Sequence, residues 1–155
     1  MRLGDVLRKE RERKTLSVET VATNLGLSAD EYQALETGML PIEAWGLKLG
    51  RFAIKLKTPT ARLISESGRW EDAARETGQC GKLVKRCREK RGLTQQSLAA
   101  MVEMTLPDLV ALENGKSAAE IYASLLLGFA QLVNQPIFNL LYPAGLPLDK
   151  IEDYE

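Results

Sequence analysis

The chain has 155 residues, 45% of them hydrophobic and 27% charged, and its 21 Lys and Arg balance 21 Asp and Glu to a formal charge of zero. This is ordinary globular composition, with apolar material for one medium core or two small ones, and it excludes disordered and collagen-like classes. No apolar run approaches the roughly 18 residues that a bilayer span needs, and the start Met1-Arg2-Leu3-Gly4-Asp5 carries charge where a signal peptide is apolar, so a cytoplasmic, non-membrane protein is expected.

In chain order, the pattern predicts a first helix, a second capped by Ser17 and a third capped by Ser28 and stopped at Gly38. A fourth carries Trp45, Leu49 and Phe52. Residues 65–79 are polar and mixed in charge, and read either as a solvated linker or as a short helix around Trp70, Ala73 and Ala74 that packs on a neighbour. From Gly81 to Arg91, Leu83, Val84 and Cys87 fall at helical spacing and Gly92 ends the helix. Thr94 caps a helix with Leu98 and Val102 inward, and Thr105 caps another with Leu109 and Leu112 inward, stopped by Asn114-Gly115. A strongly apolar helix from about Ala119 to Val133 follows, and Pro136 opens a last one ending near Leu141. The acidic tail from Pro143 to Glu155 reads as extended or frayed, and no segment alternates as a strand would.

The second series of helices echoes the first. A shift of 77 positions aligns residues 3–64 with 80–141 without a gap, and 15 of the 62 pairs are identical, Gly4/Gly81, Arg11/Arg88, Glu36/Glu113, Glu43/Glu120 and Phe52/Phe129 among them. The chain is therefore expected to hold a first unit over 1–64, a linker over 65–79, a second unit over 80–142 and the tail.

The absence of histidine removes the commonest general base and metal ligand. Cys80 and Cys87, seven apart on one helix, are about 10 Å apart along its axis and too far for a disulfide. With no phosphate loop, paired-carboxylate motif or ligand cluster either, neither enzyme activity nor a cofactor or metal is expected.

Thr94-Gln95-Gln96-Ser97-Leu98-Ala99-Ala100, with Arg88 upstream and Leu112-Glu113-Asn114-Gly115 downstream, resembles the Cro and lambda-repressor type of helix-turn-helix, the XRE-like family. Arg11, Leu16-Ser17, Val21-Ala22, Gly26-Leu27-Ser28 and Leu35-Glu36-Thr37-Gly38 form a looser version. The resemblance implies an all-α fold of two tandem lambda-repressor-like bundles of four to five helices each, the third helix of each normally lying in the major groove. It also implies structural ion pairs Arg11–Glu36 and Arg88–Glu113, and close packing at Ala22 and Ala99. Gln95 and Gln96 at the start of the second helix, Thr105 and Lys116 stand where the family approaches phosphates, as does Ser28 in the first unit.

The base-reading positions depart from the family. They hold Leu106, Pro107 and Ala111 in the second unit and Ala29, Asp30 and Ala34 in the first, none able to make bidentate base contacts. Charge follows the same division: residues 8–14 and 82–91 are net basic, whereas 26–36 and 103–113 each carry three acids and no base. Two functions follow. One is a transcriptional regulator with two fused units, atypical reading residues and double-stranded DNA as partner. The alternative is a protein-interaction module on a scaffold that has lost base-specific recognition. It would use apolar groups expected to be exposed at Met104, Leu106, Val110, Tyr32 and Met39, against another protein or a second copy.

Overall fold

The computed structural model describes residues 2–38, 42–75 and 78–146, and every regular element among them is helical. These are α1 (Leu3–Arg13), α2 (Val18–Leu25), α3 (Ala29–Glu36), α4 (Ile42–Leu56), α5 (Thr60–Ile64), α6 (Trp70–Arg75), α7 (Gln79–Lys90), α8 (Gln95–Met101), α9 (Leu106–Glu113), α10 (Ala119–Leu132) and α11 (Ile137–Leu141), with a 3-10 turn at Tyr142–Ala144. Met39 and the tail beyond Leu146 lie outside the described residues. No single helix among those described is long and apolar enough to cross a membrane.

Capping accounts for the helix starts. Ser17, Ser28, Thr94 and Thr105 each accept the backbone N–H three residues on, satisfying a donor that the first turn leaves free. The breaks between helices need left-handed backbone, and they need it at matching places. Positive φ occurs at Thr15 and Gly92, at Gly26 and Glu103, at Gly38 and Gly115, and at Lys57 and Asn134, each pair 77 residues apart. Glycine takes this conformation without steric cost, yet of these four pairs only Gly38/Gly115 is glycine on both sides, as is a fifth pair at the same interval, Gly68/Gly145.

Close approach of the first helix to the third is also set by glycine. A Cβ at Gly4 would lie 2.4 Å from the Glu36 carbonyl oxygen, and one at Gly81 only 1.8 Å from that of Leu112. At the N-terminus of α1, the Glu43 carboxylate accepts the N–H groups of Leu3 (2.7 Å) and Gly4 (2.8 Å). At α7, Glu120 accepts those of Cys80 (3.2 Å) and Gly81 (2.7 Å). A carboxylate there is stabilised by the free N–H groups and the positive end of the helix dipole.

The halves share one core. The buried apolar side chains form a single cluster drawn from both, including Leu3, Val21, Phe52, Leu98, Leu126 and Phe129. Helix α10 packs along α4 and also against α2 and α6; α5 packs on α7, and α11 on α1. Residues 65–79 are not a wholly solvated linker, since α6 lies on α10, where the Trp70 indole borders Gly128 and the Trp70 backbone N–H donates to the Gln131 side-chain oxygen. After the last helix, Leu146 is buried against Gly50.

Candidate nucleic-acid interface

Helices α8 and α9, joined by Val102–Thr105, are held from behind by a buried ion pair. The Arg88 guanidinium donates to both Glu113 carboxylate oxygens (2.7 and 2.9 Å) and to the Leu93 carbonyl (2.9 Å), so one side chain joins α7, the α7–α8 turn and the end of α9. In the first half Arg11 donates to Glu36 (2.7 and 3.2 Å) and to the Leu16 carbonyl (3.0 Å). Hydrogen bonding to these carboxylates raises both arginine pKa values, so neither pair is broken by deprotonation of its cation.

Gln95 has a second task. Its Nε2 donates to Glu113 Oε1 at 3.0 Å, which ties the start of α8 to the ion pair and uses one of the two N–H donors of that amide. At the same place the first half has Val18, which makes no such bond.

The outer surface of the second pair presents Gln96, Thr105, Pro107, Asp108 and Lys116 to solvent, with Leu106, Val110 and Ala111 half-buried. Thr105 caps α9 by accepting the Asp108 N–H at 3.2 Å. Behind them, α7 exposes Lys82, Lys85, Arg86, Lys90 and Arg91, although Arg86 pairs with Glu66 (2.7 Å) and Arg91 donates to the Leu56 carbonyl (2.7 Å). On α1, Arg8 lies near Asp5 and Glu12, and Arg13 near Glu10, so much of that helix's positive charge is locally balanced.

In the first pair, Ser28 and Glu31 form a capping box: Glu31 N–H donates to Ser28 Oγ (3.1 Å) and Ser28 N–H to Glu31 Oε1 (2.9 Å). These bonds hold the Glu31 pKa below the usual carboxylate range. Asp30 is exposed and Ala29 half-buried. The flank of α3 is met by α10 across an apolar cavity of about 290 Å³, between Leu27, Glu31, Ala34 and Leu35 on one side and Ile121, Tyr122 and Leu125 on the other.

The exposed apolar face expected from sequence does not form as drawn. Tyr32 is fully buried and stacks on Phe129 of the other half, with ring centroids 6.3 Å apart. Burial, with Glu36 beside it, pushes its phenol far above the ordinary tyrosine range. Met104 is also core, 9% exposed. Tyr32 is buried where its counterpart Leu109 also points inward, and its ring reaches the other half at Phe129; Met104 belongs to the same continuous core. Leu106 and Val110 retain partial exposure. Glu43 and Glu120 went unassigned as helix caps, although their identity at matching positions was the signal.

Two short helices joined by a tight turn, the second closed onto the preceding helix by a buried arginine–glutamate pair, constitute a helix-turn-helix domain in the second half of this chain. Residues 84–122 match the family model described as Helix-turn-helix, of the XRE-like Cro and lambda-repressor type, over a stretch running from α7 into α10. No curated protein and no solved structure matches the chain.

Proposed function

We propose that the protein is a transcriptional regulator built from two fused helix-turn-helix units, in which the second meets duplex DNA chiefly through its sugar–phosphate backbone. The observation that carries this reading is the family match over α8 and α9 together with the exposure of Gln96, Thr105 and Lys116 on that pair. The recurrence of helix bounds, left-handed positions, arginine–glutamate pairs and glutamate caps at an interval of 77 supports two units of common design. Pro107 and Asp108 at the start of α9 offer no bidentate donor to a base edge, so recognition rests on phosphate contacts and DNA shape.

The test is a titration of the full chain against duplex DNA at two salt concentrations. Backbone binding gives a measurable Kd at low salt that weakens by about 0.9 log units per log unit of salt for each phosphate neutralised. Lys116→Ala lowers that slope by about 1 without changing sequence preference. Absence of binding at low salt overturns the proposal.

A further inference from the structure

The most exposed of the large apolar side chains among the described residues lies outside α8 and α9. It is Ile121, 62% exposed near the start of α10, at the rim of the cavity shared with α3. With half-buried Tyr122, Leu125, Leu27 and Ala34 it makes a continuous apolar surface where a DNA-reading α3 would need polar groups. The other half supplies an internal control. At the positions 77 residues earlier, Ile121, Tyr122 and Leu125 are replaced by Ala44, Trp45 and Lys48. There the Lys48 ammonium covers the Trp45 ring at 5.6 Å, and the residue matching Leu27 is the buried Met104. One half presents a small residue and a cation over an aromatic ring here; the other presents open apolar groups.

The chemistry of the groove specifies its occupant. Both walls are helices, so no strand edge offers backbone pairing, and an incoming segment must satisfy its own backbone as a helix does. Among the lining residues the charge is negative: Glu31 is held ionised by its capping bonds, and exposed Asp30 adjoins it in the first turn of α3. A symmetric contact between two copies would bring these acids against their own counterparts, which is repulsive. We propose that the groove between α3 and α10 is a docking site for an amphipathic, basic helix of a partner protein. The partner seats an apolar side chain against Ile121, Ala34 and Leu125 and places a lysine or arginine against Glu31.

The test uses the full chain and a fluorescein-labelled synthetic helical peptide, with leucines at i, i+3, i+4 and i+7 and lysines on the flanks, read by anisotropy beside a twin carrying glutamate for lysine. The lysine peptide binds and the glutamate twin does not. Ile121→Glu weakens binding about tenfold or more, although it adds attractive charge, because it removes the apolar seat. Glu31→Gln, which preserves the capping box, weakens it several-fold at low salt and hardly at all at high salt. Ala44→Glu, at the matching place in the other half, leaves binding unchanged. Duplex DNA binding is the same in all three variants, which separates this site from the function proposed above. Equal binding of the two peptides, or parental affinity in Ile121→Glu, overturns the proposal. So does a dimeric solution mass that Ile121→Glu reduces to the monomer, since the occupant is then a second copy.

Discussion

The two halves of the molecule use one plan to different ends, and the differences fall at identifiable residues. Behind the helix-turn-helix of α8 and α9, Arg88 and Glu113 are joined by Gln95; behind α2 and α3, Arg11 and Glu36 are not joined by Val18. In the second half the turn between the helices is made by Glu103 in left-handed backbone, 3.4 Å from Arg51; in the first it is made by Gly26. Beside α3 the first half has an apolar groove against α10, while the matching positions on α4 hold Trp45 with the Lys48 ammonium over its ring. Frame and surface have thus changed separately: contacts that join the helices recur in both halves, and the outward groups do not.

Removing a carboxylate from behind α8 and α9, or from behind α2 and α3, is the strongest way to break this parallel. Glu113→Ala leaves Arg88 buried without its charge partner, at a cost of about 3–5 kcal/mol in chemical denaturation. Glu36→Ala costs less, because Arg11 and Glu36 are somewhat more exposed and Gln95 has no counterpart there. Equal losses would show that Gln95 adds nothing to the pair.

Next in size are the glycines. Gly81→Ala and Gly4→Ala each force the first helix off the third, costing roughly 1–3 kcal/mol or more, with Gly81 the more severe because its Cβ meets the carbonyl more closely. Thermal midpoints in the reverse order would contradict the geometry. A smaller effect of opposite sign sharpens the contrast at the turns. Glu103→Gly relieves left-handed strain of about 1 kcal/mol and loses a surface ion pair worth less than that, so it stabilises slightly. Gly26→Ala destabilises, and both signs are read in one urea series.

The smallest expected effect is a pH dependence. Burial raises the Glu120 pKa, only partly opposed by the N–H groups of Gly81 and Cys80. The folded state therefore holds its proton more tightly than the unfolded one, so this group's contribution falls as pH rises from the ordinary carboxylate pKa through the raised value. Glu31, with a lowered pKa, acts oppositely: its contribution is present above the ordinary value and is lost as pH falls through the lowered one. Glu120→Gln should flatten the first slope and Glu31→Gln the second. A variant that retains the parent slope removes that residue from the account.

Much of the local architecture was legible because it is written in short-range chemistry. Ser17, Ser28, Thr94 and Thr105 start helices in whatever context they stand, and the apolar spacing on α10 reads directly as a buried helix. The helix-turn-helix of the second half was legible from Thr94–Ala100 with Arg88 and Glu113. The surface was not. Tyr32 matches Leu109 across the 77-residue interval and shares its inward position, a signal that an apolar-face reading of α3 passes over, although nothing in its neighbours announces Phe129 as a stacking partner 97 residues away. The α3–α10 groove is invisible for the same reason: Leu27, Ala34 and Ile121 become one surface only through packing between the halves. Left-handed Thr15, Lys57, Glu103 and Asn134 carry no glycine signal, although comparison across the 77-residue interval points to Thr15 and Glu103 through Gly92 and Gly26.

The stacking of Tyr32 on Phe129 and the course of α10 over α2 have a consequence for concentration. A reader assembled from two separate chains comes apart on dilution, and its occupancy of a site then falls faster than its own concentration. Here the contacts that bring α2 and α3 together with α8 and α9 lie within one polypeptide, so dilution cannot part them. The midpoint of unfolding should be independent of protein concentration, and any binding isotherm should keep a simple hyperbolic shape down to the lowest concentrations at which the chain can be detected.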